Sequence, residues 1–176
     1  AKNATAGCYS PASLAFTLTV TAVAQPNLTA ASAPTYTVGD FAVSLNASTT
    51  VPTYSIRWYA NATGGVALAA PVLPSTAVAG VTTYYVDQYD AASSFCSSSP
   101  RLATNVTVKP LAPSVADVVY CQNTTAIALT ANPAIGGILN WYGTAASGGV
   151  SSTTATTPVT TGVGSMTYYV SQTVNG

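Results

Sequence analysis

Charge is what this chain has least of. Histidine and glutamate do not occur, and four aspartates (Asp40, Asp87, Asp90, Asp117) balance four cations (Lys2, Arg57, Arg101, Lys109). Without histidine no Ser–His or Cys–His nucleophile can be assembled, and without glutamate paired-carboxylate chemistry needs two aspartates. No catalytic residue and no cofactor site is therefore expected. Four scattered cations cannot neutralise a phosphate backbone, which excludes nucleic acid as a partner and argues against anionic membrane surfaces. Long hydrophobic runs are missing too. Ser, Thr, Asn or Gly breaks every apolar stretch within a few residues, so no segment spans a bilayer. Ala1-Lys2-Asn3-Ala4-Thr5 lacks the charged and apolar regions of a signal peptide, so the chain reads as mature sequence or an excised fragment.

What is present is 48% apolar, too much for a disordered chain. Ser, Thr, Ala and Val dominate, with Gly and Pro between them, which is the composition of short strands joined by turns. One pattern occurs twice. Trp58-Tyr59, Gly64-Gly65-Val66, Thr83-Tyr84-Tyr85-Val86 and Gln88 return as Trp141-Tyr142, Gly148-Gly149-Val150, Thr167-Tyr168-Tyr169-Val170 and Gln172. A spacing of 83 to 84 positions is that of tandem domains, each with its own core.

The spacing predicts a complete domain over 24–111 and a second over 112–176. In the first, strand A is expected near 28–37, a turn at Val38-Gly39-Asp40, and strand B with Phe41, Val43, Leu45 and Ala47 on one face. Strand C follows with Tyr54, Ile56 and Trp58 inward and Ser55, Arg57 and Tyr59 outward. Weak strands are expected over 66–80, strand F over 82–89 and strand G over 101–109. In the second, Ile127, Leu129 and Ala131 replace Val43, Leu45 and Ala47, and strand F is expected over 166–173.

Residues 1–23 match 89–111 at a separation of 88, with Cys8 on Cys96, Leu14 on Leu102, Leu18 on Val106 and Val20 on Val108. They are therefore expected to be the last strand of a preceding domain, and 112–176 to lack a final strand of its own. The window is either cut from a longer array, the favoured reading, or a subunit whose residues 12–22 complete a neighbour. Cys8, Cys96 and Cys121 are expected to form no disulfide with one another, because their places in successive domains lie far apart.

The repeated residues read as a core: Leu45, Trp58, Tyr84 and Val86 in one domain, Leu129, Trp141, Tyr168 and Val170 in the other. Immunoglobulin domains pin strands B and F by a disulfide packed on a strand-C Trp; here apolar pairs occupy those places, and Tyr84 and Tyr168 sit where a tyrosine corner would. The fold expected is all-β, with tandem immunoglobulin-like β-sandwich domains.

The pattern resembles the Ig-like repeats of very large surface adhesins in gliding and other Bacteroidota. The residues that carry the likeness are Tyr120-Cys121, Leu139-Asn140-Trp141-Tyr142, Gly148-Gly149 and Tyr168-Tyr169-Val170-Ser171-Gln172; residues 24–111 match more loosely, with Thr37 in place of Cys121. The resemblance implies secretion to the cell surface, by the type IX system, and a part in adhesion or gliding.

Other candidate sites are sparse. Asp87 and Asp90, with nearby carbonyls, are a weak candidate for Ca²⁺ against the plainer reading of a solvated strand end. Asn-X-Ser/Thr occurs at Asn3, Asn27, Asn46, Asn61, Asn105 and Asn123, making these candidate glycosylation positions. The run Thr153-Thr154-Ala155-Thr156-Thr157 suits O-glycans or a Thr-rich edge strand. The leading functional reading is a spacer or fibre segment whose partners are neighbouring repeats. The alternative is a module binding surface glycans through Tyr59, Tyr85, Tyr142 and Tyr169, which requires those rings to be exposed; a third is an accessory domain of a secreted enzyme.

Overall fold

The computed structural model describes residues 15–29, 32–92 and 96–174; Asn3 and Cys8 lie outside them. Among the described residues there is no α-helix, and the chain is all-β. Its first half carries β1 (Asn27–Leu28), β2 (Thr35–Thr37), β3 (Ala47–Ser48), β4 (Tyr54–Tyr59), β5 (Gly80–Asp90) and β6 (Leu102–Lys109). Its second half carries β7 (Ser114–Val115), β8 (Ala131–Asn132), β9 (Ile138–Trp141) and β10 (Val170–Thr173).

The first predicted strand, 28–37, is two strands on two sheets. β1 pairs antiparallel with β3, whereas β2 pairs parallel with β6 in a four-stranded sheet of order β2-β6-β5-β4. The corner between them follows from local chemistry. Pro34 has no N–H for a ladder. The hydroxyl of buried Ser32 accepts from Thr29 N at 2.9 Å and donates to Asn46 O, and Ser32 O accepts the Thr104 hydroxyl at 2.7 Å.

Strand B also departs from expectation. Leu45 and Ala47 are buried, but Phe41 is 100% and Val43 57% exposed. Instead of continuing a ladder, Val43 donates its N–H to the Tyr36 hydroxyl at 2.9 Å, so the chain enters the sheet late. Ile127 repeats this on Tyr120 at 3.3 Å and is likewise exposed.

Trp58 lies opposite Val86 in register and shares a core with Leu45, Ala47, Val72 and Val106. Tyr36, Ile56, Leu68, Tyr84 and Leu102 pack against it. Residues 66–79 form no strand, yet their backbone closes the sandwich: Leu68 N donates to Trp58 O at 2.8 Å and Leu45 N to Val72 O at 2.9 Å. The second half repeats both bonds as Ser152 N to Trp141 O and Leu129 N to Thr156 O, each at 2.9 Å. It also repeats the turn before strand B, where Gly39 (φ 90°) is replaced by Asn123 (φ 65°), a residue that tolerates the left-handed region.

Trp141 is buried opposite Val170, while Leu129, Tyr168 and Val170 are half-buried. Strand F of this half is β10 alone, shorter than the expected 166–173. In the first half, residues 80–84 of β5 pair with β6 only, whereas 85–90 pair with β4. Among the described residues β10 has β9 as its one partner, so the stretch before it has nothing to zip against. The hydroxyl of Tyr168 meets Met166 Sδ at 3.3 Å rather than a backbone group, so it makes no tyrosine corner.

Residues 15–22 are exposed and form no strand. Phe16, Leu18 and Val20 are 91%, 79% and 86% exposed. Pro26 and Pro113, the two junction prolines, are both buried.

Candidate functional site

On the outer face of the four-stranded sheet, alternation places Arg57 and Tyr59 of β4 beside Asp87 and Tyr89 of β5, because Arg57 stands opposite Asp87 in register. Asp87 is not a solvated strand end; it is 3% exposed. Arg57 Nε donates to its Oδ1 at 3.0 Å and an Arg57 terminal nitrogen to Oδ2 at 3.3 Å. Arg101 Nε, on the residue just before β6, approaches Oδ2 at 3.8 Å. Each guanidinium also stacks on a ring: Arg57 over Tyr89 at 3.9 Å, and Arg101 over Tyr59 at 3.2 Å. Arg101 further donates to Asn61 O at 2.8 Å and Gly64 O at 2.7 Å, fastening the turn after β4, where Gly64 and Gly65 take positive φ.

This is a closed lock rather than an open site. Burial works against the charge on Arg57, but the hydrogen bond and charge of Asp87 outweigh it and raise its pKa. Burial first, then the Asp87 charge, pushes the Tyr59 phenol above its ordinary value, with Arg57 and Arg101 pulling the other way. Both Asp87 oxygens face guanidinium groups, which commits that carboxylate to the arginines rather than to Ca²⁺, and Asp90 Oδ1 accepts from Ala92 N at 3.0 Å. No cluster of three or more His, Cys, Asp or Glu suited to a metal occurs among the described residues.

In the second half Asn140 and Ser171 take the places of Arg57 and Asp87, opposite one another in the same register. The Tyr142 hydroxyl lies 3.2 Å from Ser171 Oγ, a neutral version of the lock. The four tyrosines proposed as a glycan surface are thus not a flat exposed set. Tyr59 is buried beneath Arg101, Tyr85 and Tyr142 are half-buried, and Tyr169 is 38% exposed.

The repeated glutamines have a role that the sequence pattern flagged but did not explain. Gln88 is wholly buried. Its Oε1 accepts from Thr50 N at 2.8 Å, and its Nε2 donates to Thr50 Oγ1 and to Ala24 O, the latter at 2.8 Å. Gln172 does the same: Oε1 accepts from Ala134 N at 2.7 Å and Nε2 donates to Leu111 O at 2.6 Å. Ala24 and Leu111 each stand two residues before a buried junction proline. Each glutamine therefore ties strand F and the B–C loop of its domain to the chain entering that domain. Gln25 Nε2 adds a bond to Pro100 O at 2.8 Å in the first.

Asn27, Asn46, Asn61, Asn105 and Asn123 are all exposed. Asn105 Oδ1 accepts from Thr83 Oγ1 at 2.8 Å. Of the Thr-rich run, Thr153, Thr154 and Thr157 are exposed, and Thr156 is half-buried, its carbonyl holding Leu129. Cys96 and Cys121 are free and exposed.

Two successive all-β units, each built on a buried strand-C Trp opposite a strand-F Val, define a tandem immunoglobulin-like protein. The chain belongs to the family of Ig-like domains described as CHU_C associated, whose model matches it twice, over residues 24–110 and 110–176. No curated protein matches the chain.

Proposed function

We propose that this chain is a non-catalytic, load-bearing spacer within a long extracellular adhesin or surface filament, its partners being neighbouring repeats. The observation that carries this reading is the glutamine latch, built in the same way at the entrance of both domains. A binding or catalytic module needs open polar groups; here the fully buried Gln88 and its half-buried counterpart Gln172 are spent on fastening linker to domain. The wholly buried Gln88 amide, with both ends bonded, resists displacement, since leaving either group unpaired costs ~1–3 kcal/mol. Membership of an Ig-like family typical of extracellular proteins supports the location. The closed Arg–Asp–Tyr lock weighs against the glycan-binding alternative.

Pulling the chain from its ends is the test. Two unfolding events are expected, releasing roughly 300 Å of chain from the first domain and roughly 230 Å from the second, since an extended residue spans ~3.3–3.6 Å. Gln88→Ala lowers the force of one event and Gln172→Ala that of the other. Unchanged forces in both variants, or retention of the chain on a glycan array, would overturn the proposal.

A further inference from the structure

Among the ladders of the first domain, all but one are antiparallel. The exception is β2 on β6, where Thr35 stands opposite Thr107, Tyr36 opposite Val108 and Thr37 opposite Lys109. A further backbone bond extends the pair at each end: Thr107 N donates to Pro34 O at 3.1 Å, and Val38 N to Lys109 O at 2.9 Å. The chain reaches β2 from the entrance of the domain, through Ala24, β1 and the Ser32–Pro34 corner. That entrance lies near the start of β6, because Gln88 holds Ala24 and also accepts Ser98 N at its carbonyl, at 2.8 Å. β6 leaves at the opposite end, through Pro110 into the second domain. Tension on the chain therefore draws β2 back toward the entrance and β6 forward to the exit. The strands are pulled past one another along their own axes. All of their bonds are loaded together, and none can open alone.

Each strand is also anchored on the side away from the other. β6 continues into the ladder with β5. β2 is an edge strand, and its anchor is a side chain: the Tyr36 hydroxyl accepts Val43 N at 2.9 Å. The turn beyond β2 is fastened as well. Asp40 Oδ2 accepts Thr37 N at 2.6 Å, Gly39 N donates to Thr76 O at 3.0 Å, and the Thr76 hydroxyl donates to Asp40 O at 2.7 Å. The segment ahead of the clamp is held more thinly, since β1 pairs with β3 over Asn27 and Leu28 alone.

We infer that the β2–β6 pair is the mechanical clamp of the first domain, the element that sets how long the domain survives under tension. The glutamine latch and β1 lie ahead of it in the load path, so Gln88→Ala weakens the same event by handing the load to the clamp early. The clamp deepens the spacer reading and rests on it, but the two fail separately. Forces lowered by Gln88→Ala yet indifferent to β2–β6 would keep the spacer and remove the clamp.

The test uses the 176-residue chain with its three cysteines replaced by serine, held at its ends under constant force. Survival under force follows the unfolding rate rather than equilibrium stability. Val38→Pro removes one donor of the clamp at the end of an edge strand, where proline is tolerated. Tyr36→Phe removes the grip on Val43 and keeps the ring against the core. Each is expected to shorten the lifetime of the first domain by ~2- to 10-fold, the rate equivalent of one hydrogen bond, and to leave that of the second domain unchanged. A second measurement moves the point of attachment instead of the bonds. Phe41, wholly exposed just past the turn that ends β2, is replaced by cysteine and held against the C-terminus. Force then meets the pair from its exit end only and opens the same bonds one after another, so the first domain is expected to give way at markedly lower force. Equal forces in the two geometries, or lifetimes indifferent to both Val38→Pro and Tyr36→Phe, would overturn the inference.

Discussion

Asp87 shows how much one residue's meaning depends on its neighbours. Alternation along strand F points it away from the core, and that part is readable from sequence. Its burial is not, because the residues that cover it come from positions 57, 59, 89 and 101. A carboxylate this buried is tolerable only while paired, and removing its charge strands two guanidinium groups over aromatic rings. Asp87→Asn is expected to destabilise the first domain by ~2–3 kcal/mol, toward the low end for a buried pair because Arg57 keeps some contact with water. Urea unfolding measures it, and a change confined to the second domain would contradict the assignment. Tyr59 adds a pH signature. Its folded-state pKa is raised above the ordinary value of about 10, so the folded state holds the proton more tightly than the unfolded chain. Its contribution is complete below that value and declines as pH rises through the folded pKa. Tyr59→Phe should flatten the alkaline limb of a stability–pH curve above about pH 10; an unaltered limb would show that another group governs it.

At the scale of elements, the latches and turns decide which strands are regular. The second latch is hemmed in by Gly137, where an added Cβ would lie 2.5 Å from Gln172 Oε1 and 3.0 Å from Ala134 O. Gly137→Ala must therefore push the amide off Ala134 N, at an expected cost of ~0.5–1.5 kcal/mol, the net worth of a solvent-exposed hydrogen bond. Thermal unfolding should show the second domain destabilised and the first untouched. Equal stability in the variant would mean that Gln172 relaxes without losing its bonds. The repeat flagged Gln88 and Gln172, but their partners are a loop N–H and a linker carbonyl that no spacing reveals. Likewise, apolar alternation over 41–47 suggested a full strand B. It missed that a tyrosine hydroxyl captures Val43, and its counterpart Ile127, before the ladder begins.

The whole molecule is two sandwiches of unequal completeness. The first encloses Leu45, Ala47, Trp58, Val72, Val86 and Val106; in the second, Trp141 is the buried large side chain among the described residues, beside an open hollow. Apolar burial dominates domain stability, so the halves should melt separately, the second first. Calorimetry on dilute chain is expected to give two transitions, with domain two at the lower temperature. A single cooperative transition would mean that the junction couples the domains more strongly than their cores differ.

The architecture was legible because it rests on local and periodic features. Trp58 and Trp141 recur with their strand-F partners, glycines mark the turns, and two-residue alternation sets which face is core. These are properties of the backbone that any stretch carries by itself. What required the tertiary structure were contacts between residues far apart in the chain. Asp87 is buried by Arg57 and Arg101, Tyr59 is hidden under Arg101, strand A is split at Ser32–Pro34 by a hydroxyl from Thr104, and the β10 stretch is shortened for want of a neighbour. Each is a pairing in which neither residue alone signals the outcome, since burial and charge compensation depend on which distant side chain arrives, not on the residue's own place in a strand.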